Sequence, residues 1–222
     1  MKILALEFSS SQRGVAVLNP TGGSVAEVVD TATGPTMKPF AMIESALRQA
    51  SLEREQIECV VVGLGPGSYT GVRAAIALAQ GWQLATGAKL LGVSSAEGLA
   101  AQAQADGIAG KFGVLIDAQR EEFYLAEYEI SPAGISEIMP LHLVTLAEVR
   151  RREGAGERLV GPEVARWFSN GRVVFPRAAR LGERAGLRSD FVAGEMLAPI
   201  YLRETKFVKA PSPRIISPLE VP

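Results

Sequence analysis

The chain has 222 residues, 47% of them hydrophobic and 21% charged, with a formal net charge of −1. Such a chain buries most of its unfolded surface without disulfide or metal staples, its composition excludes a disordered, collagenous or coiled-coil protein, and its charge argues against a general nucleic-acid binder. One cysteine, Cys59, and one histidine, His142, leave no intrachain disulfide, no multi-histidine zinc site and no site that needs two cysteines.

In chain order, Lys2 precedes only four apolar residues, Ile3 to Leu6, before Glu7. A secretory core needs about 7–15, and no run approaches the roughly 18 apolar residues of a membrane span. The expectation is a cytoplasmic protein with no membrane contact and a reduced Cys59. Ile3 to Leu6 reads as a buried strand. Gly14 to Leu18 and Ser24 to Val29 read as two more, joined by the turn residues Asn19 to Gly23. Pro39 opens a helix whose Phe40, Ile43, Ala46, Leu47 and Ala50 recur on one face. Cys59 to Val62 is a strand ending at Gly63, and a helix runs from about Gly71 to Thr86. Another strand follows near Lys89 to Val93, and a helix near Ala96 to Gln104. This alternation predicts an α/β sheet with helical layers.

Beyond the break at Gly107 to Gly110, Phe112 to Ile116 reads as a buried strand ending in Asp117, with strands over Phe123 to Ile130 and Ile135 to Val144. Shorter pieces follow at Leu146 to Arg151, Val164 to Phe168, Val173 to Phe175 and Ala178 to Arg188. The expected division is a first lobe over 1–107, a second over 108–210 and a Pro-rich tail over 211–222.

Both halves open on one plan: an apolar strand ends in an acid, Glu7 or Asp117, a polar turn follows and a strand returns. This resembles the duplicated two-lobe actin-like (ASKHA, RNase H-like) fold, with two mixed sheets flanked by helices. In the nucleotidases of that fold, acids at these strand ends sit at a metal–phosphate cleft. Glu7 and Asp117 are therefore expected close together at the mouth of an interlobe cleft. The alternative is that they are two ordinary strand-end acids.

Gly63 to Arg73 is the most informative stretch. In the loop Gly65-Pro66-Gly67-Ser68, the glycines permit positive φ, Pro66 fixes its own φ, and Ser68 or Thr70 is placed to cap the next helix. A Gly-rich turn entering a helix can hold a phosphate, but this is neither a Walker A loop nor G-x-G-x-x-G. The other reading is a tight strand-to-helix turn. At 100° per residue, the helix puts Ala74, Leu78, Gly81, Trp82 and Ala85 on one face, read as core. Arg73, Ile76, Ala77, Gln80 and Leu84 fall opposite, with the composition of a protein interface. A helix buried all round within one chain is the alternative.

Gly65-Pro66-Gly67-Ser68-Tyr69-Thr70-Gly71-Val72-Arg73 resembles the G-P-G-S-[FY]-T-G-[LV]-R signature of the TsaB (YeaZ) family of bacterial tRNA threonylcarbamoyladenosine biosynthesis proteins. Lys2 to Glu7, Gly92-Val93-Ser94, Ile116 to Tyr124 and Pro199-Ile200-Tyr201-Leu202-Arg203 resemble four further family motifs in order. The resemblance implies a non-catalytic paralogue of the TsaD catalytic subunit, with no catalytic residue and no metal of its own. It would act with TsaD and the ATPase TsaE to place threonylcarbamoyl on N6 of the adenosine next to the tRNA anticodon. It implies scaffolding through first-lobe helices, which bundle with TsaD or, in competition, with a second copy of the chain. Transfer RNA is reached through the complex, and ATP or ADP only with partners.

The chain departs from the family at Glu7, where Asp is usual, at Pro35-Thr36-Met37, where a His is common, and at Asp117-Ala118-Gln119, which lacks phosphate-loop glycines. All three lead away from nucleotide or metal chemistry. His142 reads as a surface or satisfied residue, and Cys59 as a small buried hydrophobe. Arg177, Arg180, Arg184 and Arg188 read as a solvated helix face, with a tRNA-facing stripe as the alternative. Two other function classes remain. One is an actin-like nucleotide-using enzyme. The other is a glycoprotease-like peptidase, against which the lack of H-x-x-x-H argues.

Overall fold

Strand β1 (Ile3–Glu7) is buried on both sides of its sheet, and so it is apolar throughout rather than alternating. Leu4 and Leu6 point to one face with Val60 and Val62; Ile3 and Ala5 point to the other with Cys59 and Val61. In this computed structural model, which describes residues 1–19, 24–31, 38–186 and 188–202, β1 is the centre of the first of two five-stranded sheets. The predicted turn over 20–23, Pro35-Thr36-Met37, Arg203 and the tail over 211–222 lie outside the described residues.

The first sheet adds β2 (Arg13–Leu18), β3 (Ser24–Asp30), β4 (Cys59–Gly63) and β5 (Lys89–Val93), in the order β3-β2-β1-β4-β5. The second contains β6 (Gly110–Asp117), β7 (Glu122–Ser131), β8 (Gly134–Thr145), β9 (Leu159–Gly161) and β10 (Arg172–Val173), in the order β8-β7-β6-β9-β10. Each strand thus has a counterpart five places later. The senses repeat as well: β1–β2 and β6–β7 are antiparallel, with Ile3 opposite Leu18 and Asp117 opposite Phe123. The β1–β4 and β6–β9 pairs are parallel, with Ile3 opposite Cys59 and Gly113 opposite Leu159. The fold is the expected two-lobe actin-like duplication, and the strand-end acids Glu7 and Asp117 occupy equivalent positions in it.

Helices α1 (Pro39–Gln49) and α2 (Tyr69–Thr86) cover one face of the first sheet. The last helix of each repeat crosses over. Helix α3 (Ser95–Ala105) contributes Ala96, Leu99, Ala100 and Ala103 to the core of the second sheet. Helix α6 (Ala178–Ala185) contributes Ala178, Ala179, Leu181 and Ala185 to the other face of the first. The two lie side by side between the sheets, and Arg184 Nε reaches Glu97 Oε1 at 2.8 Å. Helices α4 (Leu146–Gly154) and α5 (Val164–Trp167) close the far side.

Packing crosses the expected division at 107, and position 210 lies outside the described residues. Helix α3 belongs with the second sheet, and residues 191–202 return to the first. Val192 bridges to Leu90, and Ile200 N–H donates to the Leu64 carbonyl at 2.9 Å. Gln80 and Gln83 of α2 grip the Gly194 backbone from both sides, each at 2.8 Å. This C-terminal strap lies along α2.

Candidate functional site

The signature loop begins as β4 ends. Ser68 caps α2, its Oγ accepting from Gly71 N–H at 3.2 Å, which settles the choice between Ser68 and Thr70. Two loop N–H groups are already engaged within the chain. Gly65 N–H donates to Ser95 Oγ at 3.1 Å and Ser68 N–H to the Ser9 carbonyl at 2.6 Å. A Cβ on Gly67 would stand 2.1 Å from the Ser9 carbonyl oxygen, and one on Gly71 2.0 Å from that of Phe8. These glycines let the helix start press against the β1–β2 turn. The geometry is that of a close chain crossing.

Glu7 stands where the family resemblance leads one to expect Asp. It is fully buried. Its Oε1 accepts from Ser9 N–H at 2.7 Å, and its Oε2 from Ser95 Oγ–H at 2.9 Å. The side chain pins the β1–β2 turn to the start of α3, and through Ser95 to the signature loop. Burial raises its pKa, opposed by the bonds from Ser9 and Ser95. Asp117 lines the cleft between the lobes, whereas Glu7, expected at the cleft mouth, is fully buried and does not line it.

That cleft holds about 260 Å³. The first lobe supplies Ser9, Arg13 and Ser68; the second supplies Asp117, Glu163 and Arg166. Burial, then the charge of Asp117, raises the pKa of Glu163. The β6–β7 turn at its edge runs through three successive non-glycine residues at positive φ, Gln119 (65°), Arg120 (59°) and Glu121 (59°), a conformation that costs L-residues roughly 1–2 kcal/mol each. Arg13, Glu163 and Arg166 were not legible as site residues, because each is an isolated charge in its own segment.

On α2 the faces differ from the helical-wheel reading. Val72, Ala75, Ile76 and Ala79 face the sheet, and Ile76 is only 6% exposed. Gly81 and Ala85, expected in the core, are exposed, while Leu78 and Trp82 are half-buried. Of the five predicted interface residues, Arg73, Ala77 and Leu84 are exposed. Ile76 is core, and Gln80 is bonded to the strap. The physical reason is that an alanine-rich helix has little contrast between its faces, so a wheel does not fix which side meets the sheet. The exposed ridge carries Tyr69, Arg73, Ala77, Gly81 and Leu84. Beside it, an apolar groove of about 590 Å³ runs between α1 and α2, lined by Phe40, Ala77, Leu78, Gly81, Trp82 and Ala85 among others. Phe40 is 69% and Leu84 89% exposed, and among the described residues the shielded Trp82 indole N–H has no acceptor.

The arginine series is a partly solvated face whose four guanidinium groups are paired, not a free basic stripe. Arg177 pairs with Glu27 (2.7 Å), Arg180 with Glu183 (2.6 Å), Arg184 with Glu97 and Arg188 with Asp190 (2.5 Å). Cys59 is buried in the sheet, and that burial pushes its thiol up to about 11. His142 Nδ1 lies 2.9 Å from the Pro140 carbonyl oxygen. Among the described residues, no three His, Cys, Asp or Glu side chains gather as a metal set, and no helix is long and apolar enough to cross a membrane.

A family model described as TsaD, tRNA N6-adenosine threonylcarbamoyltransferase, matches residues 8–201. The chain is 28% identical over 220 residues to the tRNA threonylcarbamoyladenosine biosynthesis protein TsaB of Escherichia coli K12, covering 91% of this chain and 95% of that protein. It is 27% identical over 148 residues to TsaB of Bacillus subtilis 168, covering 67% and 64%. A Pseudomonas aeruginosa crystal structure, described as an uncharacterized protein with similarity to peptidase YEAZ, shares the fold. Its TM-score is 0.76 at 24% identity, over 91% of this chain and 99% of that one. With the family match over 8–201 and TsaB proteins aligning with it, the chain belongs to the TsaD, tRNA N6-adenosine threonylcarbamoyltransferase family, among its TsaB (YeaZ) members of tRNA threonylcarbamoyladenosine biosynthesis.

Proposed function

We propose that this chain is a non-catalytic subunit of the threonylcarbamoyl-transfer machinery. It binds and supports a TsaD-like catalytic subunit, together with a TsaE-like ATPase, and reaches tRNA through that complex. The observation that carries the reading is the α1–α2 face. Leu84 and Phe40 stand in water there beside an apolar groove, where burying each would gain roughly 1.5–3 kcal/mol. Ala77 and Gly81 are small enough to let a partner helix approach to about 8 Å. A strand-end carboxylate, Glu7, that is buried in a structural pin also fits a chain whose chemistry is done by another subunit. Homodimer and heterodimer use the same face and therefore compete, and nucleotide binds only once partners are present.

The experiment is co-purification and titration of the full chain with the same organism's TsaD-like protein. Ala77→Arg puts a long charged side chain on the exposed ridge without touching the core. It should fold with an unchanged melting temperature and lose both hetero- and self-association; Leu84→Glu should do the same. If both variants fold and bind at wild-type affinity, the interface lies elsewhere. Calorimetric titration of the chain alone with ATP and magnesium should show no binding.

A further inference from the structure

The geometry points to the interlobe cleft as a binding site for a small zwitterion, a free α-amino acid, held with its carboxylate on Arg13 and its ammonium on Glu163. The two residues come from different lobes, Arg13 from the start of β2 and Glu163 from the turn before α5. Both line the one cleft. Among the described residues, Arg13 Nη1 and Glu163 Oε2 are shielded from water and have no hydrogen-bond partner. A donor left without an acceptor on one wall and an acceptor left without a donor on the other are both costly. Small side-chain rotations toward a ligand that carries both complements would relieve the two together.

The charge pattern selects the class. The charges of Arg13 and Arg166 offset those of Asp117 and Glu163, so the lining as a whole is balanced and favours a molecule that is itself balanced. A phosphate would meet two carboxylates. At about 260 Å³, the space falls just below the roughly 300–1,000 Å³ of drug-sized ligand sites, which suits an amino acid rather than a nucleotide. Leu99 and Ile116 supply apolar lining, and the hydroxyls of Ser9 and Ser68 a polar rim. L-serine and L-threonine are therefore the probes of choice. This inference is independent of the α1–α2 docking face: the cleft and the groove share no lining residue.

The test is an NMR titration of the full chain with L-serine and with L-threonine. Acetate and methylamine serve as half-molecules and ATP with magnesium as a competitor. Saturable shifts at cleft residues are expected with an amino acid, with each half-molecule binding at least about tenfold more weakly, as loss of one charged hydrogen bond predicts. Arg13→Gln and Glu163→Gln should each lower affinity about tenfold or more while their melting curves stay close to wild type. The half-molecule comparison uses the wild-type chain, so the inference stays testable if either variant fails to fold. No saturable shift with either amino acid, acetate binding as tightly as the amino acid, or ATP alone occupying the cleft overturns it.

Discussion

Arg73 and Tyr201 stand 128 positions apart in the chain, and Arg73 Nε donates to the Tyr201 hydroxyl at 3.1 Å. The Tyr201 ring stacks on Tyr69 with centroids 5.8 Å apart, and the Arg73 guanidinium lies 4.1 Å from the Tyr69 ring centre. The signature loop and the closing motif, which look unrelated in sequence, are thus one cluster on the exposed side of α2. It ties down the end of the strap.

A double-mutant cycle checks this coupling. Arg73→Ala and Tyr201→Ala should each lower the melting temperature slightly, and the double variant should lose less than the sum, because both remove one shared interaction. Limited proteolysis should cut the strap faster in each. Strict additivity, with unchanged cleavage, would show the two residues to be neighbours without coupling.

Ile76 and Leu84, placed on one face by the sequence, should separate in stability. Ile76→Ala opens a cavity against the sheet and should cost about 2–5 kcal/mol. Leu84→Ala removes a side chain already in water and should stay within about 0.5 kcal/mol of wild type. Chemical denaturation of the isolated chain measures both. Equal costs would mean that α2 is rotated from the orientation described.

Glu7 makes stability depend on pH. Burial raises its folded-state pKa above the usual 4.5, so the unfolded chain loses this proton first as pH rises. Its contribution is complete below the unfolded value and is lost as pH rises through the folded one. Glu7→Gln keeps the shape and removes the charge. The stability of wild type relative to this variant should therefore fall from about pH 4 upward. A difference that is flat, or that grows toward neutral pH, would falsify the buried-carboxylate account.

Two glycines near one another in sequence should respond oppositely to alanine. Gly67→Ala drives a Cβ into the Ser9 carbonyl at a φ of 147° and should cost more than about 2 kcal/mol. Gly81→Ala meets nothing within 4 Å among the described residues and sits inside a helix, where alanine gains roughly 0.5–1 kcal/mol over glycine. Because Gly81 lines the groove, the stabilised variant should also bind a helical partner more weakly. Melting curves with a parallel binding titration read both effects.

The first repeat was legible almost to the residue because β1, β2 and β4 are buried on both faces and its helices have caps and breakers. Lys89 to Val93 and Cys59 to Gly63 match the observed strands as read. The second repeat was harder. Strand β9 has only Leu159, Val160 and Gly161, too few for a period to register, and it went unread; β10 has two residues. Helix α6 reads as Arg-rich and solvated because its partners Glu27 and Glu97 lie far off in sequence. On α2, alanine on every face hid the direction of burial. The cleft's Arg13 and Glu163 come from opposite lobes, and nothing short of the fold brings them together.

The exchange of α3 and α6 makes the two repeats obligate complements. A backbone cut at Gly107, where the chain turns in open space, leaves one piece with the first sheet and a helix whose apolar side has lost its sheet. The other piece keeps the second sheet and carries α6, the helix that the first piece lacks. Each fragment keeps one covered sheet face and leaves the other bare, whereas together they hold every layer. Co-expressed as 1–107 and 108–222, they should reassemble into one particle, and either expressed singly should be degraded or aggregate. The duplication is therefore not two modules in series but a clasp, in which each half is finished only by the other.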